Sequence, residues 1–254
     1  DALDRRHVQH AFGGAVGASD ALVRVQLPHQ LLRTAGPPHQ HAGRLEKLAI
    51  RIADAPEHLR DAAVVAGALP AVWQRYRGLR RGLYRGPVPF GALGVCLRPH
   101  PADPDALLAA VETLGVRRVL VRLHPWQDDH ADEERLVREL AAHGYEIAFA
   151  LPQNRALVRD RQRWRAAVQE LAERFGPYGR HFQVGQAPNR SKWGAWTRGE
   201  YLGLYLDAAE ILRRTESVEL MGPAVIDFEF YATLALVHRR LPGLRYDILS
   251  SLLY

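Results

Sequence analysis

The chain of 254 residues has one cysteine, Cys96, one methionine, Met221, and two lysines, Lys47 and Lys192. A single cysteine excludes an internal disulfide. Its place in the apolar run Ala92-Leu-Gly-Val-Cys-Leu97 reads as a buried small hydrophobe rather than a nucleophile. Apolar runs are short, and none approaches the roughly 18 uninterrupted residues needed to span a bilayer. The first residues, Asp1-Ala-Leu-Asp-Arg-Arg6, have neither the apolar core of a signal peptide nor an initiator Met, so the expectation is a soluble, cytoplasmic chain, trimmed at its start. No Gly-x-Gly-x-x-Gly and no P-loop follows a strand candidate, which disfavours nucleotide binding, and no cofactor is expected. Gly13-Gly-Ala-Val-Gly17 lacks a lysine and a preceding strand and reads as a loop. His39 and His41 have the spacing of a metal pair but no Cys, Asp or Glu close by, so no metal site is expected.

What is abundant is arginine, which supplies nearly all of the net charge of +6. A guanidinium forks onto carboxylates and phosphates better than an ammonium does, so such a surface suits an anionic partner. An anionic glycan fits as well as a nucleic acid. With 47% hydrophobic residues, the chain can build one large domain, or one domain with a helical extension.

Residues 1 to about 85 differ from the rest. Leu45, Leu48, Ala49 and Ile52 fall at helical spacing, while Pro28, Pro37, Pro38, Pro56 and Pro70 should cut the segment into short pieces. Leu22 to Leu27 is the one short alternating run. The basic, glycine-punctuated stretch Arg75 to Pro87 marks a boundary, giving a helical extension over 1–85 and a second unit over 86–254. If any part of the chain binds nucleic acid, the arginines of residues 75 to 85 are the candidates.

From about Val88 a strand followed by a helix recurs every roughly 27 to 36 residues. The strand candidates are Phe90 to Leu97, Arg118 to Leu123, Glu146 to Leu151, His181 to Gly185, Val218 to Met221 and Tyr246 to Ser250. Each is short and apolar on both faces, as a parallel strand covered by helices must be. Asp103-Pro104 opens a helix that Gly115 ends, Gly144 ends the next, and Thr197-Arg-Gly-Glu200 has capping-box spacing. Six consecutive βα units predict an α/β architecture, either an eight-stranded (β/α)8 TIM-like barrel or an open doubly wound sheet, which periodicity cannot separate.

In either architecture the chemistry sits at the carboxyl ends of the strands. There the sequence places Arg98 and His100, then Arg122, His124, Trp126 and Asp128-Asp129, then Gln153-Asn-Arg155, then Gln186-Ala-Pro-Asn-Arg-Ser-Lys-Trp193, then Asp227 and Glu229, then Ser250, Ser251 and Tyr254. Aromatic rings stack on the apolar faces of a sugar while amides and guanidinia bind its hydroxyls, so the composition fits carbohydrate.

Phe182-Gln-Val-Gly-Gln-Ala-Pro-Asn189 resembles the fourth strand of clan-A retaining glycoside hydrolases, family 39 xylosidase and iduronidase types among them, which ends Gly-Asn-Glu-Pro-Asn. The resemblance covers about Val88 to Tyr254. It extends more weakly to Arg122 and His124, and to Asp247-Ile-Leu-Ser-Ser-Leu-Leu-Tyr254, which looks like that clan's Asp-x-x-Ser-x-His-x-Tyr sixth strand with Leu252 in place of the histidine. It implies a TIM barrel whose fourth strand supplies a sugar 2-hydroxyl contact and the general acid/base, and whose seventh supplies the nucleophile. Here Gln186 stands at the asparagine position and Ala187, which carries no proton, at the glutamate position.

Three readings follow. Ala187 is an engineered inactivation, or the chain is a natural pseudo-glycosidase, or the acid comes from elsewhere, with Asp227, Glu229 and Asp128 as the candidates. Gln186 beside the alanine favours natural divergence. The expected function is a glycoside-hydrolase-like protein that recognises or hydrolyses a polysaccharide or glycolipid glycan. Its binding residues are Arg122, His124, Gln153, Gln186, Asn189, Arg190, Trp193 and Tyr254, and its weak catalytic candidates Asp227 and Glu229. Each has a structural alternative: Asp227 as a helix N-cap, Glu229 as a first-turn charge, and Gln186 and Asn189 as braces of the loop. Six strands would leave two open edges, to be covered by the N-terminal helices or by strands beyond Tyr254.

Overall fold

The computed structural model describes residues 43–81, 94–98, 104–215, 217–227 and 229–252. Two helices come first, α1 (Arg44–Ala53) and α2 (Ala55–Arg80). Then strands and helices alternate: β1 (Gly94–Leu97), α3 (Pro104–Thr113), β2 (Arg118–Arg122), α4 (Ala131–Ala142), β3 (Glu146–Leu151), α5 (Arg155–Arg159), α6 (Arg161–Phe175), β4 (His181–Val184), α7 (Arg198–Leu212), β5 (Glu219–Ile226), α8 (Phe230–Val237) and β6 (Ile248–Leu252). No described helix is long and apolar enough to cross a membrane.

The six strands form one parallel sheet in sequential order, β1-β2-β3-β4-β5-β6. Sequential order separates the two architectures left open by periodicity. A doubly wound sheet reverses direction to place helices on both faces, whereas right-handed crossovers between successive neighbours put every helix on one face. The sheet therefore curls into a half-barrel, helices outside. Register carries this down to residues. Leu97, Val121, Phe149, Phe182 and Leu220 align in one row and are buried beneath the helices with Leu136, Leu140, Trp164, Leu171 and Phe175. The alternate rows, Cys96-Leu120-Ala148-His181-Glu219 and Arg122-Ala150-Gln183-Met221-Ile248, line the concave face.

That arrangement corrects the reading of Cys96. It is exposed, because it lies on the concave face and no described strand stands opposite to cover it. β5 is longer than expected and runs through Gly222-Pro223. A register shift between Pro223 and Val225, with Ala224 at φ 53°, absorbs the proline as a bulge on this strand. β4 stops at Val184 because Gly185 turns to φ 82°, where an added Cβ would also lie 2.6 Å from the Tyr201 ring. Thr197 and Glu200 form the expected capping box at the start of α7, and Gly115 and Gly144 end α3 and α4 at positive φ. The expected start of the first strand at Phe90, the cap at Asp103, the Leu22 to Leu27 run, Gly13 to Gly17, His39, His41, His100 and Tyr254 lie outside the described residues.

Pro70 does not break its helix: α2, 26 residues in all, runs through it. Pro56 lies in the first turn, where a missing N–H costs nothing. Around Pro70 the helix has left the barrel, and Ala66 and Gly67 are exposed, so water can reach the carbonyl that the proline leaves without a donor. The first half of α2 lies against α8. Val65 and Ala68 are buried, Asp61 pairs with Arg198 and Arg239, Glu57 with Arg239, and the Tyr231 hydroxyl donates to the His58 carbonyl.

Candidate functional site

The strand tips gather most of the expected residues, and hydrogen bonding decides what each can do. The side-chain amide of Gln153, just past β3, donates to the Gln186 carbonyl at 2.9 Å and accepts from the Gln186 N–H at 2.8 Å. Asn189 does the same one strand further on, donating to the Ile226 carbonyl and accepting from the Ile226 N–H, both at 3.1 Å. Both amides extend the sheet beyond its ladder by satisfying backbone groups that would otherwise be buried without partners. The bracing alternative therefore describes Asn189, and the Gln153 amide braces in the same way on the backbone of the buried Gln186.

The acids stand around Arg190. Its guanidinium donates to Asp227 and to Glu229, each at 2.9 Å, and Asn189 also donates to Glu229. Hydrogen bonding to Asp227, opposed by some desolvation and helped by the nearby Glu229 charge, raises the Arg190 pKa above the ordinary arginine value. Asp227 is not the helix cap: α8 begins one turn later with Glu229 at the N-cap, and Asp227 sits at φ 62° with its N–H on the Leu252 carbonyl. Asp128 is fully exposed, away from these groups.

Ala187, at the position of the acid, is fully buried at φ 45°, and with Trp193 and Ile226 forms a small apolar cluster against which Leu252 packs. Trp193 itself is only 9% exposed. The Arg122 guanidinium lies over its ring at 5.1 Å from the centroid, which ties the tip of β2 to the loop after β4. Three non-glycine residues at positive φ, Ala187, Ala224 and Asp227, cluster at the tips of β4 and β5, and conformations of this kind concentrate at functional sites.

His124 lies elsewhere. Its Nδ1 is 2.6 Å from a Glu133 carboxylate oxygen, and Nδ1 of His130 hydrogen-bonds the other; all three residues are buried. His130 stands edge-on to Phe175, which places the trio between the β2–α4 loop and the outer helices. Burial pushes the Glu133 carboxyl up, but hydrogen bonds from the two histidines outweigh it and hold the group below the usual glutamate value. The hydrogen bond to Glu133 raises His130.

Beside Asn189 a cleft of about 230 Å3 opens between α1–α2 and the loop after β4, lined by Ile50, Asp54, His58, Asn189, Ser191 and Trp196 among others. Arg155 lies over the Trp196 ring at 3.7 Å, and the buried indole N–H of Trp196 has no acceptor among the described residues. No described cluster of His, Cys, Asp or Glu could hold a metal ion.

Sequence reasoning missed Gln183 and the Glu133–His130 pair. Gln183 shares a register row with Arg122 on the concave face. The polar-apolar alternation His181-Phe-Gln-Val184 carried that signal, and His130-x-x-Glu133 at helical spacing carried the other. The chain matches no protein-family model, and no curated protein and no solved structure matches it.

Proposed function

We propose that the chain recognises a glycan, of a polysaccharide or a glycolipid, at the carboxyl rim of a glycosidase-like half-barrel, and that it does so without the strand-four acid. The observation that carries this reading is the polar rim Asn189, Arg190, Asp227 and Glu229 beside a cleft lined by Ser191, His58 and Trp196. Partly exposed carboxylates and a guanidinium hold hydroxyls in fixed directions, and an indole supplies an apolar face. Hydrolysis of the standard retaining kind needs two carboxyl groups about 5 Å apart, one of them protonated. Ala187 offers no proton.

The test is a panel of oligosaccharides, anionic ones included, measured by calorimetry alongside turnover of aryl glycosides. Binding without turnover, weakened at least tenfold in Arg190→Ala and Trp196→Ala, is the expected result. Turnover that disappears in Asp227→Ala or Glu229→Ala would instead make those two residues catalytic. Absence of both binding and turnover across the panel would end the reading.

A further inference from the structure

Beyond Ala68 the helix α2 leaves the body of the protein, and its outer half has a composition of its own. From Ala62 to Arg81 there is no aspartate or glutamate, and Arg75, Arg77, Arg80 and Arg81 stand in its last turns. All four arginines are exposed, and none has a carboxylate partner among the described residues. Helical spacing puts Leu69, Val72, Trp73 and Tyr76 on one face, with Arg75 and Arg77 on its two flanks. Trp73 and Tyr76 lie side by side with ring centroids 5.8 Å apart. These apolar groups face water: Leu69 is 46% exposed, Trp73 62%, Tyr76 47% and Leu79 66%. A packed helix would have buried such a stripe, and the buried face of α2 stops at Val65 and Ala68.

We infer that the outer half of α2 is a docking surface for an anionic phospholipid bilayer. Its aromatic and leucine stripe enters the headgroup boundary, and its arginines meet the lipid phosphates. An indole and a phenol beside aliphatic side chains suit that boundary, where one end of each ring is apolar and the other wet. Four cations without a single anion complement a negatively charged surface. The same charge set argues against a second copy: a parallel two-fold pairing would bring the arginines of one helix against those of the other, and an antiparallel one would offer them no carboxylate, since Ala62 to Arg81 has none. A nucleic acid would use the arginines but leave Leu69, Val72 and Leu79 without apolar contact. The inference does not depend on glycan binding.

The experiment is co-sedimentation of the full chain with vesicles of phosphatidylcholine alone and of equal parts phosphatidylcholine and phosphatidylglycerol. Binding to the anionic vesicles alone, weakening with salt, is expected. Trp73→Ser with Tyr76→Ser should weaken it at least tenfold. Changing Arg75, Arg77, Arg80 and Arg81 to Gln should cost about fivefold per charge removed. The altered side chains are exposed, so unchanged circular dichroism and melting show that the variants fold. Three results would overturn the inference: no binding to anionic vesicles, binding that both variants leave intact, or Trp73 shielded instead by dimerisation or by duplex DNA with vesicles unbound.

Discussion

The Gln153 side chain pairs with both backbone groups of Gln186, closing on them with a single amide where the ladder between β3 and β4 has ended. Asn189 repeats the device on Ile226. The two clamps fix the tips of β3, β4 and β5 relative to one another, and so fix the rim on which Arg190, Asp227 and Glu229 stand.

Removing a clamp leaves a backbone donor and acceptor without partners in a buried place. Gln153→Ala should lower stability by about 2–4 kcal/mol and Asn189→Ala by about 1–3 kcal/mol, the smaller value reflecting the partial exposure of Asn189. Urea unfolding measures both. Losses under about 0.5 kcal/mol would show that water replaces the amides without cost.

Restoring the missing acid should not restore a hydrolase. Ala187 is fully buried under Trp193 and Ile226 at positive φ, so Ala187→Glu must displace the indole or bury a carboxyl. The expected outcome is a loss of at least about 2 kcal/mol and no turnover of aryl glycosides. Hydrolysis gained with stability kept would mean that the pocket under Trp193 opens readily.

Within the buried cluster at His124, the pair Glu133 and His130 makes stability depend on pH. The pKa of His130 is raised, first by its hydrogen bond to Glu133 and further by the charges of Glu133 and Glu170, against desolvation and Arg174. Its stabilising contribution is complete below the unfolded value of about 6.5 and is lost as pH rises through the folded value. Glu133, lowered, contributes above its unfolded value of about 4.3 and loses that contribution as pH falls through the folded one. Stability from Glu133 and His130 should peak between about pH 4.5 and 6.5 and decline toward pH 9 as His130 loses its proton. Melting curves across that range test it. His130→Asn should flatten the alkaline slope, and an unchanged slope would remove the pair as its cause.

Asp61 is buried between Arg198 and Arg239 and joins α2 to the barrel. Breaking a buried pair by removing one partner costs about 3–5 kcal/mol, here local to the docked helix. In Asp61→Ala the amides of residues 55–68 should exchange with solvent faster, while those of β2 to β5 keep their protection. Equal loss of protection in both regions would show that helix and barrel unfold as one unit.

Legible in the sequence alone were the units: six apolar stretches with their helices, the Thr197–Glu200 cap, and the glycines that end α3 and α4. These follow from side-chain periodicity and local hydrogen bonds, which need no distant partner. It also carried the set of polar residues at the strand tips, because strand ends are known once strands are. Tertiary structure alone decided how the strands are ordered, and with it which face of β1 is open and why Cys96 is exposed. It decided that Gln153 and Asn189 hold backbone, that Glu133 joins two histidines, and that α2 runs through Pro70 with Trp73 facing water. Each of these depends on what lies opposite a residue in space, and that is set by chain pairing over tens of residues rather than by the residue's own neighbours.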